Sequence, residues 1–202
     1  MLIADLKKHY PYAHCALEYQ TPFQLLVATV LSAQCTDERV NQVTRVLFAE
    51  YPDADKLATA DLAEIESIVR PTGFFKNKAK NIVASAKIIS ERYQGQVPRT
   101  LDELTALPGV GRKTANVVLG NAFEIASGVV VDTHVMRLSN RLGLVQSEDP
   151  VKIEQDLCRM VDQKNWIQFS HWLIWHGRSL CLARKPKCQE CFLFDRCPRV
   201  GV

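Results

Sequence analysis

Apolar positions recur along this chain at intervals of three and four, the spacing that lays a stripe down one side of an α-helix. The run FQLLVATVLSAQ, which Gln34 ends, is apolar nearly all round, which predicts a central buried helix, with Thr21 as its cap and Pro22 in its first turn. A polar CTDER segment follows, with Thr36 or Asp37 as the next cap. Val40, Val43, Val46 and Leu47 mark a second helical face, and Leu62, Ile65, Ile68 and Val69 a third. Pro71, Thr72 and Gly73 interrupt. Phe74 and Phe75 then stand at a loop tip before a basic helix, with Ala79, Ile82, Val83, Ala86 and Ile89 inside and Lys76, Lys78 and Lys80 outside. Thr100, with Glu103 three residues on and Leu101, Leu104 and Leu107 at helical spacing, forms a capping box opening a short helix that Pro108 and Gly109 stop. Val110 is an apolar peg between two glycines, and the helical spacing resumes from Arg112 to about Leu119. Further on, Asp132 precedes Val135, Leu138 and Leu142. Asp149 and Pro150 open a helix burying Val151, Ile153, Leu157 and Met160. Asn165 caps NWIQFSHWLIWHG, which Gly177 closes, with Trp166, Trp172 and Trp175 assigned to the core. Leu2 to about His9 forms one more short helix, and the sum is an all-α protein.

Composition narrows the class. At 202 residues, 47% hydrophobic and 23% charged, the chain can build one large or two small cores and is not disordered. A net charge of +3 permits nucleic-acid binding without demanding it, so any basic surface comes from local clustering. The N-terminus MLIADLKKHYPY lacks the apolar core of a signal peptide, and the run at 22 falls short of the roughly 20 residues that span a bilayer. The expectation is a cytosolic protein with no membrane segment. Seven cysteines is an odd count, and four of them crowd between 181 and 197, which favours a metal site in a reducing compartment over disulfides.

Candidate chemistry concentrates from Thr100 to His134. The two glycines of LPGVGRK let the backbone turn and approach a ligand closely, and the next helix starts with unpaired N–H groups and a positive dipole end. That suits a phosphate of a nucleic-acid backbone; an ordinary helix-to-helix turn has equal claim, until Arg112 and Lys113 tilt the balance. Lys113 lies in the first helical turn, where a cation meets the wrong end of the dipole. Desolvated there, a neutral amine attacks an electrophilic carbon and forms a Schiff base; on physics alone a solvated phosphate-binding lysine is the simpler reading. Asp132 reads first as an N-cap, which still permits it to face a cleft. Cys35 reads as a small buried residue, and His171 and His176 as packed or capping groups rather than ligands.

Cys181, Cys188, Cys191 and Cys197 form C-x6-C-x2-C-x5-C. Tetrahedral sulfur fits zinc or iron–sulfur; the single C-x2-C pair, where four-cysteine zinc sites usually have two, leans towards a [4Fe–4S] cluster. Four ligands leave no open position, so the role is structural. Arg184, Lys185 and Lys187, in the loop between the first two ligands, meet phosphates as a fixed array or form a solvated basic loop.

Taken together, LPGVGRKTANVVL, the VDTH at 131–134, the HGR at 176–178 and the cysteine pattern resemble the endonuclease III family, bacterial DNA glycosylases with abasic-site lyase activity in the helix-hairpin-helix superfamily. The resemblance runs from about Pro22 to Cys197. It implies that Lys113 is the nucleophile and Asp132 the catalytic carboxylate. It implies that Gln34, otherwise a solvated helix-end glutamine, enters the space left by a flipped-out nucleotide. Phe74, where the family commonly carries an aliphatic residue, becomes the wedge. Gly109, Gly111, Arg112, His134 and the basic loop then hold the backbone of damaged double-stranded DNA. The implied architecture is two helical domains flanking a DNA-binding cleft: a six-helix domain at 15–125 with the hairpin at about 100–120, and a discontinuous cluster domain from 1–14 plus 126–202. The implied substrates are oxidised pyrimidines and abasic sites, acted on by a monomer in the bacterial cytoplasm, at the nucleoid. Two other readings compete. The adenine-specific mismatch glycosylases share the cluster but lack the lysine at position 113 and carry an extra C-terminal domain, whereas this chain stops five residues after Cys197. A non-catalytic DNA-binding module leaves Lys113 and Asp132 unexplained.

Overall fold

The computed structural model describes residues 2–202, and all regular structure among them is helical. The chain divides into two compact units, one of Ala16–Ile125 and one of Met1–Cys15 with Ala126–Val202.

The first unit holds α2 (Pro22–Leu31), α3 (Asp37–Glu50), α4 (Ala54–Ala58), α5 (Leu62–Val69), α6 (Phe75–Tyr93), α7 (Leu101–Thr105) and α8 (Arg112–Phe123). Its centre is α2, buried from Phe23 through Leu31 and packed on α8, α3 and α6. The all-round apolar run thus becomes a helix surrounded by other helices. Thr21 caps it by accepting from the Gln24 N–H at 3.2 Å, and Thr36 caps α3 through the Arg39 N–H. The five-residue α4, capped by Asp53 and packed on α6, is too short to show a periodic stripe and has no counterpart in the sequence reading. At α7 the Thr100 hydroxyl accepts from the Glu103 N–H, but the Glu103 carboxylate takes the hydroxyl proton at 2.6 Å rather than a backbone N–H, so the reciprocal capping box is only half formed.

Further expectations in this unit are corrected. The central helix stops at Leu31, with Ser32 as its C-cap, short of Gln34. Lys78 does not face solvent: it is 5% exposed, and its Nζ donates to the Leu31 and Thr72 carbonyls at 2.8 and 2.7 Å. It stands four residues before Ile82 and seven before Ser85, both buried, so the helical period itself turns it inward. Cys35 is half-buried rather than buried.

The second unit holds α1 (Leu2–His9), α9 (Thr133–Arg141), α10 (Pro150–Met160) and α11 (Trp166–Ser179). Leu6, Val135, Leu138, Leu157, Phe169 and Trp172 form its core. The buried extended run Val129–Val131 feeds α9, and the Val130 N–H is satisfied by the Ser170 hydroxyl at 2.9 Å. Val151 and Met160 are 46% and 52% exposed, against expectation: Val151 lies two positions from the buried Ile153 and so on the far side of α10, and Met160 ends the helix. Asn165 makes no side-chain cap bond; it ends a 3-10 turn, Gln163–Asn165. Gly177 lies inside α11 rather than closing it. A Cβ there would stand 2.9 Å from the His134 Nδ1 and 3.0 Å from the Arg137 Nη2, so this glycine permits the close approach of α9 to α11.

Candidate nucleic-acid interface and metal centre

The α7–α8 hairpin is shaped by its own residues. Leu104, Leu107 and Val110 are buried beneath it, and the Ser85 hydroxyl of α6 ties down the Pro108 carbonyl at 2.9 Å. Gly109 has φ +75, and an added Cβ would lie 2.6 Å from the Asn81 Nδ2 and 2.9 Å from the Asn81 Cβ. Both the left-handed backbone and the close approach exclude a side chain. Gly111 is the N-cap of α8, has no atom within 4 Å of an added Cβ, and gives no side-chain cap to the amides of the first turn. Gly109, Gly111, Arg112 and Lys113 are all exposed at this end. The result is a set of outward N–H groups at a helix N-terminus with two cations on it, which is chemistry for an anion.

Two further loop tips in the same unit carry unusual backbone. After α2 the chain turns through Ser32, whose hydroxyl donates to the Thr29 carbonyl, and Gln34 follows in the left-handed region at φ 54, exposed. The turn before α6 places Phe74 at φ 48 and 67% exposed, while Phe75 is half-buried beneath the Arg70 guanidinium. Of the two phenylalanines, Phe74 is the outward one. Left-handed backbone is rare for a bulky residue and persists only where surrounding contacts hold it.

In the second unit, Asp132 caps α9, its Oδ1 accepting from the Val135 N–H at 2.8 Å. His134 follows, with its Nδ1 3.3 Å from the Arg137 Nη2, which also donates to the Gly177 and Cys181 carbonyls. Burial holds the His134 pKa below its ordinary value, against the pull of the Asp132 carboxylate and with the help of Arg137 and Arg178.

The four cysteines line one cavity with His176, Arg141, Lys187, Arg199 and apolar side chains, and no Asp or Glu is among its walls. The four thiols thus surround one common volume, which is sulfur chemistry for a metal centre. Burial raises the Cys191 pKa and the other three thiols add to it, so a bound cationic core is what would stabilise four thiolates together. Donors face the sulfurs, the Leu193 N–H to Cys191 at 3.4 Å and the Arg141 Nη1 to Cys181 at 3.6 Å, and the His176 Nε2 lies 3.7 Å from Cys191. His176 is buried, with its pKa pushed down to about 4 by desolvation and its Nδ1 bonded to the Tyr10 hydroxyl. Arg141 also donates to the Leu182 and Ala183 carbonyls, fixing the start of the loop that exposes Arg184, Lys185 and Lys187. The sequence singles out His176 as a packed residue but gives no sign of Arg141 or Tyr10, whose partners lie 40 or more positions away.

A hairpin of this geometry and a cysteine loop of this spacing define a class of DNA repair protein. Residues 27–163 match the model of the HhH-GPD superfamily of base excision DNA repair proteins, and residues 181–197 match that of the iron-sulfur binding domain of endonuclease III. Over 98% of its length the chain is 59% identical to the endonuclease III of Synechocystis sp., covering 90% of that protein. Two solved structures, a non-covalent endonuclease III–DNA complex and a trapped endonuclease III–DNA covalent intermediate, each align with a TM-score of 0.93 at 42% identity, over 98% of this chain and 92% of theirs. The chain belongs to the endonuclease III family, and its cofactor is a [4Fe–4S] cluster. Among the described residues no helix is long and apolar enough to cross a membrane.

Proposed function

We propose that this chain excises oxidised pyrimidines from duplex DNA as a base excision repair glycosylase and cuts the strand as an abasic-site lyase, with Lys113 as the amine and Asp132 as the carboxylate. The observation that carries the reading is the exposed Lys113 on an uncapped helix N-terminus, in a chain alike from end to end to a protein solved as a covalent DNA intermediate.

A base stacked in a duplex is out of reach, so the nucleotide leaves the helix, at least cost where damage has weakened stacking. Gln34 and Phe74 fill and wedge the gap. The amides at Gly109 and Gly111, with Arg112, take backbone phosphates, and His134 and the loop of Arg184, Lys185 and Lys187 contribute on the same strand or its partner. Cys181, Cys188, Cys191 and Cys197 hold the cluster, which supplies rigidity to that loop. Lys113 is exposed on the first turn of α8, where its amine is open to a bound nucleotide. The Lys113 Nζ attacks the sugar C1′, the C1′–N bond breaks, and the base departs with the electron pair and takes up a proton. Asp132, its direction set by the cap bond to Val135, stabilises the cationic sugar and accepts the amine proton. The sugar ring opens to a Schiff base, which acidifies the C2′ hydrogens; loss of one expels the 3′ phosphate oxygen and nicks the strand. The protein acts as a monomer in the bacterial cytoplasm, at the nucleoid.

Borohydride trapping on a duplex with one abasic site tests this. Wild type is expected to give a covalent adduct and nicking, both absent from Lys113→Ala and Lys113→Gln proteins that keep DNA binding and cluster absorbance. No adduct from cluster-loaded wild type overturns the lyase assignment.

A further inference from the structure

Lys78 is a buried lysine of the first unit that this mechanism does not use. Its ammonium is buried, and burial pulls its pKa below the ordinary lysine value. A methionine would fill similar space without that cost. What it gains is two backbone bonds to segments far apart in sequence. Leu31 ends α2, where carbonyls run out of helical N–H partners and the dipole favours a cation. Thr72 ends the 3-10 turn before Gly73, and is itself anchored by its hydroxyl to the Val69 carbonyl at 2.8 Å.

These carbonyls lie three residues before Gln34 and two before Phe74, exposed residues held at φ 54 and 48; the other left-handed non-glycine residues of this unit, Gln94 and Glu124, are helix C-caps. One nitrogen thus ties together the roots of both strained tips. We propose that Lys78 is a positioning residue that fixes the Gln34 turn and the Phe74 turn relative to each other, so that they enter a duplex as one preassembled pair. This rests on the reading of Gln34 and Phe74 as gap-filling and wedging residues. Each tip alone is a short loop free to relax; cross-tied, neither moves without the other, and the ordering cost of inserting both is met on folding instead of on binding.

The test is a double-mutant cycle in the cluster-loaded full chain. Lys78→Met is made in wild type and in the Gln34→Ala/Phe74→Ala background, and assayed on duplex thymine glycol and on a single-stranded abasic oligonucleotide, which has no opposite strand to wedge. Glycosylase kcat on the duplex is expected to fall about tenfold or more, with trapping on the single strand changed less than about twofold and no further loss in the double-alanine background. Equal losses on both substrates, or an undiminished loss in that background, would assign Lys78 to general stability and overturn the proposal. Lys78→Gln, which keeps a neutral donor of similar reach, carries the same comparison where the methionine variant does not fold, and failure of both to fold likewise overturns it. A wild type that traps on neither substrate defeats the functional reading instead, and a wild type insensitive to Gln34→Ala/Phe74→Ala defeats the premise of paired insertion.

Discussion

Replacing Gly109 by alanine probes the hairpin without touching a charge. The substitution meets two penalties. A non-glycine residue at φ +75 costs about 1–2 kcal/mol, of which about 0.5–1 is returned by stiffening the unfolded chain. The new Cβ also lands 2.6 Å from the Asn81 Nδ2 and 2.9 Å from its Cβ. The amide can swing aside, but the Asn81 Cβ is fixed to the backbone of α6, so helix or hairpin must shift, at a typical overpacking cost of about 1–3 kcal/mol. The net is a loss of about 1–4 kcal/mol. Gly111→Ala is the control: it has open space, an ordinary φ of −91 and only the poorer N-cap of alanine against it, about 0.5–1 kcal/mol. Urea unfolding followed by circular dichroism reads the stability difference, and fluorescence anisotropy on a duplex carrying an abasic analogue reads binding. Gly109→Ala is expected to weaken binding about tenfold, by displacing the amides that face phosphate, with cluster absorbance unchanged because the cysteines lie in the other unit. A Gly109→Ala protein as stable as Gly111→Ala, with wild-type affinity, would refute both the strain and the phosphate reading.

Gly177→Ala should destabilise the second unit by about 1–3 kcal/mol, since its Cβ would press on His134 and Arg137 where α9 meets α11; a thermal melt within a degree of wild type would show that those side chains yield freely. His171 is pushed down to about 4, chiefly by burial and also by His14, so its folded pKa lies below the unfolded value near 6.5. Its neutral form therefore supports the fold above pH 6.5, and that support is lost as pH falls from 6.5 towards 4, by up to about 3 kcal/mol. His171→Gln should flatten the fall in unfolding free energy between pH 7 and pH 5, and an unchanged slope would place the titration elsewhere.

What the chain declares locally, it declares well. Thr21, Thr36, Asp132 and Asp149 are caps whose partners lie two or three residues away, so the bond each makes is settled by neighbours visible in the sequence. The same holds for the glycine hairpin and for four cysteines crowded into one short loop, where spacing alone restricts the chemistry. The Asn165 cap and the reciprocal half of the Thr100 box failed locally, but the features the sequence hid have the opposite property. Lys78 looks like a solvent-facing lysine until the carbonyls of Leu31, 47 residues away, and Thr72 are brought to it. Gly177 looks like a helix stop until α9 packs against it and claims the space of a side chain. Gln34 and Phe74 are ordinary residue types whose left-handed backbone only the packed surroundings impose. His176 finds Tyr10 from 166 positions away and Cys191 from 15. Caps, turns and ligand spacing depend on distances the covalent chain fixes, so sequence determined them. Burial of a charge, strain at a loop tip and the donors around a sulfur depend on which distant surfaces meet, and only the tertiary structure decided those.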